Sequence, residues 1–187
     1  MNIAVFGGAF DPPHLGHIQI IQSLLESSFD EVWCVPVKNH AFGKQMLPAH
    51  HRVAMLELAL SGMNNIKIDE YELHQPGVNY TYDTLVAFKQ HYPEHTFSFV
   101  IGSDNLPTFY TWFDDTPGIL EFPFFVYPRK GFSFEPLFEG MTPMRNMQEV
   151  AISSTQVRQA VMAGESIEHL VPPAVEKYIQ QQKLYQP

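Results

Sequence analysis

Short apolar runs alternate with amphipathic ones along almost the whole of this 187-residue chain. That alternation limits the fold more than any other feature. MNIAVFGG (1–8), EVWCVPV (31–37), TFSFVIG (96–102) and the core of FPFFVYPRKG (122–131) are apolar without a polar face. They read as strands buried on both sides. NIKIDEYEL (65–73) and MQEVAI (147–152) read as further strands. Between them lie helical patterns. LGHIQIIQSLLESS (15–28) sets Ile18, Ile21, Leu24 and Leu25 on one face. PAHHRVAMLELALSGM (48–63) opens on Pro48 and meets Gly62 near its end. TYDTLVAFKQHY (81–92) is stopped by Pro93, and SSTQVRQAVMAG (153–164) has a Ser/Thr cap and Gly164 behind it. PPAVEKYIQQQKLY (172–185) is the closing helix. KNHAFGKQML and HQPGVNY are loop and turn, and DNLPTFYTWFDD (104–115) is a loop or a broken helix.

Apolar strands alternating with helices predict an α/β, Rossmann-like, doubly wound parallel sheet with helices on both faces and right-handed crossovers. The length suits a single domain over 1–187. Ligands in such sheets bind beyond the carboxyl ends of the strands, where the strand order reverses. The loops GGAFDPPHLGH, GSDNL and ISST are all expected on that edge.

The formal net charge of -9, with no Lys/Arg cluster, argues against nucleic acid as a partner. No apolar stretch reaches the roughly 18 residues of a membrane helix, and no signal peptide opens the chain. Cys34, the one cysteine, lies in the apolar run VWCVPV and reads as a buried, inert thiol. These features together point to the cytoplasm. HExxH is absent and a lone cysteine makes no Cys-rich zinc site, so no protein-held metal is expected.

The string Gly7–His17 follows a strand and precedes a helix. Glycines there allow backbone N–H groups to turn toward an anion, and the helix N-terminus adds partial positive charge. His14 and His17, three apart, share one side of a helical turn and can both donate to phosphate oxygens. The string is neither a Walker A loop nor GxGxxG. Ile152-Ser153-Ser154-Thr155 with Arg158 one turn on forms a second helix start suited to an anion.

GGAFDPPHLGH and ISSTxxR together resemble the two phosphate motifs of the nucleotidyltransferase superfamily. YTYDTL (80–85), IGSDNL (101–106) and Thr111-Trp112 are similar to motifs of the nicotinate and nicotinamide mononucleotide adenylyltransferases. The resemblance implies transfer of adenylate from ATP to a pyridine mononucleotide in NAD biosynthesis, with Mg2+ accompanying ATP and pyrophosphate leaving. It implies that His14 and His17 hold ATP phosphates, that Gly8, Ala9 and Phe10 offer backbone groups, and that Ser153, Ser154, Thr155 and Arg158 complete the cradle. Asp104 falls at the family's adenosine-ribose position, where it also reads as a helix cap. Trp112 falls at the pyridine-stacking position, with a core tryptophan as its alternative. Tyr80 and Thr81 fall at the pyridine carboxylate or amide.

Four places depart from the family pattern. Where PPHK is common, this chain has PVKNHAFGKQM, so Lys38 and Lys44 compete for the phosphate, and the spacing of His40 and Lys44 favours Lys44. Ala9 stands where Thr or Ser is common. Arg52 opens a helix against its dipole, which asks for an anionic partner, either substrate or a nearby carboxylate. Arg129 either meets the mononucleotide phosphate or is solvated. Nicotinate or nicotinamide as acceptor, and monomer or homo-oligomer, stay open at this point. The competing functions are a phosphopantetheine- or CTP-dependent transferase of the same superfamily, which lacks YTYDTL and TW, and a nucleotide sensor without turnover, which would have degraded phosphate motifs.

Overall fold

Six parallel strands in the order β3-β2-β1-β4-β5-β6 form the sheet among the described residues. The structure is a computed structural model and describes residues 1–38, 45–77, 80–111 and 117–186. The strands are β1 (Asn2–Gly8), β2 (Glu31–Pro36), β3 (Ile66–Ile68), β4 (Thr96–Gly102), β5 (Phe124–Tyr127) and β6 (Met141–Pro143). The helices are α1 (Leu15–Leu25), α2 (Ala49–Leu60), α3 (Tyr71–His74), α4 (Thr81–His91), α5 (Ser154–Ala163) and α6 (Pro173–Gln181), with 3₁₀ turns at Ser103–Thr108 and Pro117–Glu121. The expected doubly wound α/β sheet is therefore present. The chain winds outward from β1 in one direction and, after β4, in the other, so β1 and β4 flank the point of reversal.

Successive strand side chains point to opposite faces, and each face has its own helices. On one face Ile3, Val5, Trp33, Val35, Phe99, Ile101, Phe124 and Val126 pack with Leu85 and Phe88 of α4. On the other, Ala4, Phe6, Val32, Cys34 and Val100 pack with Ile20, Ile21 and Leu24 of α1 and with Leu56 and Leu60 of α2. Each large side chain so buried contributes about 1.5–3 kcal/mol relative to exposure. A third cluster joins Met55 and Ala59 of α2 to Val157 and Ala160 of α5 and to Val175 and Ile179 of α6. This last layer fixes where α5 begins. Cys34 is fully buried, and burial pushes its thiol up to about 12, which keeps it inert. Among the described residues no helix is long and apolar enough to cross a membrane.

Four expected elements are corrected. The closing helix expected over 172–185 spans Pro173–Gln181 and ends before Tyr185. The strand expected over 65–73 ends at Ile68, because Asp69 Oδ1 accepts the Tyr71 N–H at 2.9 Å and turns the chain into α3. The strand expected over 147–152 is reduced to a single bridge of Val150 with Arg129. The sixth strand is instead Met141–Pro143, three residues with none buried, too short for a pattern to mark it. The first helix stops at Leu25 rather than 28, where the Ser27 hydroxyl donates to the Leu24 carbonyl at 2.6 Å.

Candidate active site

β1 leads into the opening loop at the point where the sheet order reverses. The loop is packed to the limit of its glycines. A Cβ on Gly8 would stand 3.2 Å from the Phe10 ring, and one on Gly16 would stand 2.7 Å from Val150 Cγ1 and 3.0 Å from His14 Nδ1. Phe10 itself has φ 48, a left-handed conformation that a bulky residue adopts only under surrounding constraint.

The constraint comes from three cross-links. Arg52, the first, is 1% exposed and spends its guanidinium on backbone carbonyls: Nη1 donates to Ala9 at 2.7 Å, Nη2 to Val37 at 2.9 Å and Nε to Leu47 at 3.0 Å. Its partners are carbonyl oxygens, with Asp11 as the nearby negative charge. Arg158, the second, donates through Nη1 to the Asp11 carbonyl at 2.7 Å and through Nη2 to Thr155 Oγ1 at 3.2 Å. The third is the Ser154 hydroxyl, which donates to the Pro12 carbonyl at 2.9 Å. Ser153 caps α5 by accepting the Gln156 N–H at 3.2 Å. The two sequence motifs, about 140 residues apart, thus meet in one place.

His14 and His17 stack, with ring centroids 3.7 Å apart at 26°. His17 Nδ1 accepts the His14 backbone N–H at 3.0 Å. An accepting nitrogen carries no proton, so the neutral His17 ring holds its proton on Nε2 and presents a donor there. His14 Nδ1 is buried and has no partner among the described residues. Burial, with the Arg129 charge second, lowers His14 to about 3. Burial, then His14 and Arg129, holds His17 well below 6.5. Both rings are neutral at pH 7.

The ends of β4 and β5 supply the far wall. Arg129 donates through Nη1 to the Ile152 carbonyl at 3.0 Å, and its Nε stands 3.8 Å from Asp104 Oδ2. Its charge is felt by both histidines, so it lies on the side of the phosphate motifs. A Cβ on Gly102 would stand 2.9 Å from Arg129 Cγ and 3.0 Å from Tyr127 Cζ, so only glycine lets these groups close. Lys38 donates to the Gln75 carbonyl.

Gly8, Ala9, Phe10, His14, His17, Ser153, Ser154, Thr155 and Arg158 are therefore gathered on one edge, with Asp104 and Arg129 beside them. Tyr80, which is 51% exposed, and Thr81 stand at the N-terminus of α4, the helix that covers the other face of the sheet. Lys44, with His40, and Trp112 lie outside the described residues. Sequence reasoning passed over Asp11, Glu72 and Tyr185. Asp11 was visible inside the opening string, but only its partners reveal its role.

Glu72 is buried beneath the first turn of α4, where its Oε1 accepts the Thr84 hydroxyl at 2.8 Å. Burial pushes its carboxyl from an ordinary 4.5 up to about 7. The folded chain then holds this proton more tightly than the unfolded one, so rising pH removes stability across about 4.5 to 7, by at most about 3 kcal/mol. The two histidines work in the opposite sense: their stabilisation is complete above 6.5 and is lost as pH falls below it. Glu72→Gln keeps an acceptor for Thr84 and removes only the acid. Its stability relative to the native chain is expected to rise from pH 5 to pH 8 in urea unfolding; a constant difference would contradict the assignment.

Residues 5–160 match the family model described as cytidylyltransferase-like. The nicotinate-nucleotide adenylyltransferase of Bacillus subtilis is 31% identical over 190 residues, covering 99% of this chain and 98% of its own. A Bacteroides fragilis protein named "Probable nicotinate-nucleotide adenylyltransferase" is 35% identical over 184 residues, covering 95% and 90%. The nicotinic acid mononucleotide adenylyltransferase of Plasmodium falciparum, solved in complex with NaAD, shares the fold with a TM-score of 0.83 at 24% identity, over 98% of this chain and 97% of its own.

Proposed function

The chain belongs to the cytidylyltransferase-like family and, within it, to the nicotinate-nucleotide adenylyltransferases, and from that premise we propose that it transfers adenylate from ATP to nicotinate mononucleotide, releasing pyrophosphate. It is a nucleotidyltransferase of NAD biosynthesis. The observation that carries the reading is the joining of two helix N-termini, α1 and α5, through Ser154 to Pro12 and Arg158 to Asp11. Together they make one anion cradle from two motifs.

A phosphate oxygen of the mononucleotide attacks the α-phosphorus of ATP, and the bond to pyrophosphate breaks. The protein's work is positioning and charge stabilisation, so no side-chain nucleophile is needed. His17 donates from Nε2, and phosphate binding beside the two neutral rings raises their proton affinity. Backbone groups of Gly8, Ala9 and Phe10, hydroxyls of Ser153, Ser154 and Thr155, and the outer face of Arg158 serve the ATP phosphates. Asp104 faces the adenosine side. Arg129, whose charge reaches both histidines, is the proposed contact for the mononucleotide phosphate. The first turn of α4, with Tyr80 and Thr81, takes the pyridine carboxylate. Lys44 is the proposed phosphate lysine.

Among the described residues no group of three or more His, Cys, Asp or Glu could hold a metal. Both side-chain oxygens of Asp11 are occupied, by Tyr185 and the Leu47 N–H. The proposed Mg2+ arrives with ATP, held largely by phosphates and water. When bound it neutralises phosphate charge. The reading extends to residues 1–187 acting as one catalytic domain in the cytoplasm.

Pyrophosphate release from MgATP, measured in parallel with nicotinate and nicotinamide mononucleotides, tests the proposal. Release with nicotinate mononucleotide at the higher kcat/KM is expected. Release with neither, from folded protein that binds ATP, would sink it. Trp112→Ala is expected to raise the mononucleotide KM about tenfold with kcat nearly kept, as stacking is worth about 1–3 kcal/mol; an unchanged KM moves the pyridine elsewhere.

A further inference from the structure

The last residues of the chain reach back to its first loop. Past α6 the backbone turns at Lys183 (φ 53) and Tyr185 (φ 59), two non-glycine residues in the left-handed region. Such residues persist where their surroundings over-determine them. Leu184, between them, is buried in the cluster of Met55, Val157, Val175 and Ile179. The Tyr185 hydroxyl then donates to Asp11 Oδ1 at 2.6 Å, across 174 residues. Asp11 is 4% exposed; its Oδ2 accepts the Leu47 N–H at 3.3 Å and its carbonyl accepts Arg158 at 2.7 Å. Three distant parts of the chain therefore converge on one residue, between Phe10 and His14.

We propose that Tyr185 and Asp11 are positioning residues: their hydrogen bond fixes the opening loop so that the Gly8–Phe10 backbone and the His14–His17 pair are preset for the ATP phosphates. This deepens the adenylyltransferase reading and rests on it. The bond joins a hydroxyl to a carboxylate at short range, the charge-assisted kind. Burial, and then the bond itself, hold the Tyr185 phenol well above its ordinary range, so it stays a donor. A loop held in place before ATP arrives does not have to be ordered during the reaction. Arg52 and Arg158 anchor the loop only through backbone carbonyls, at Ala9 and Asp11. Tyr185 adds a hold on a side chain, from the far end of the chain.

Tyr185→Phe keeps the ring and removes the bond. Its kcat/KM for ATP is expected to fall about tenfold, with the mononucleotide KM within about twofold, since one hydrogen bond to a charged group is at stake. Asp11→Asn serves as the second variant. If both act through one contact, the double variant is no worse than the poorer single one. Native kcat/KM in Tyr185→Phe, fully additive losses, or a loss that vanishes once rates are scaled to the folded fraction would each overturn the proposal. Native protein that releases no pyrophosphate with nicotinate mononucleotide would sink the underlying reading instead. The same cycle, read as ATP affinity by calorimetry, then decides the positioning role alone: coupled weakening supports it and unchanged affinity overturns it.

Discussion

His17→Ala is expected to lower kcat by about 100-fold or more, equivalent to about 3 kcal/mol of transition-state stabilisation. The size follows from what the ring does. Its Nδ1 is committed to the His14 N–H, so its one proton sits on Nε2. It stacks on His14 and lies 5.1 Å from the Phe10 ring, contacts that leave it little freedom to turn. A donor fixed before the reaction stabilises developing charge without reorganising. The alanine variant also strips the His14 N–H of its acceptor, so unfolding must be measured beside turnover. A drop in kcat and in kcat/KM together, with a small change in Tm, identifies a transition-state role. Turnover near that of the native protein would break the assignment of the opening loop. His14→Ala tests the other ring, whose buried Nδ1 lacks a partner among the described residues.

How far the sequence discloses this site depends on how local each interaction is. The opening string and ISST are contiguous, and their chemistry is set by residue type and by the strand-to-helix junction. Both were therefore legible, as was the doubly wound sheet, because strands buried on two faces announce themselves. The strand at Met141–Pro143 was not, since an edge strand with half-exposed residues needs only a neighbour to pair with. MQEVAI had the better pattern and the worse position. By its pattern Tyr185 belongs to the closing helix. Its meaning lies in a backbone turn after the helix and in a carboxylate 174 residues away, and no spacing rule connects them. Arg52 is the sharpest case. Its place at a helix start against the dipole asks for an anion, either substrate or a nearby carboxylate. Asp11 is the nearby negative charge, but the hydrogen bonds go to three carbonyls, from residues 9, 37 and 47, which only the folded chain brings together.

That arrangement makes Arg52→Ala the largest expected loss of stability, about 3–5 kcal/mol, as for other buried charged groups whose network is broken. The side chain is 1% exposed, and its removal empties the space under the phosphate loop. It also leaves the Ala9, Val37 and Leu47 carbonyls without their donor, each an unmade, partly buried hydrogen bond. For a chain of this length the loss corresponds to a fall in Tm of about 10 °C. Arg52→Lys is the informative companion. An ammonium keeps the charge but cannot reach three carbonyls in one plane. If the planar fork matters, lysine recovers only part of the stability. If charge next to Asp11 were the main contribution, lysine would recover nearly all of it. Because one of the three carbonyls belongs to Ala9, the folded fraction of either variant is also expected to bind ATP more weakly. A variant that loses Tm yet keeps native ATP affinity would separate the scaffold from the cradle, and would leave the loop to Ser154, Arg158 and Tyr185.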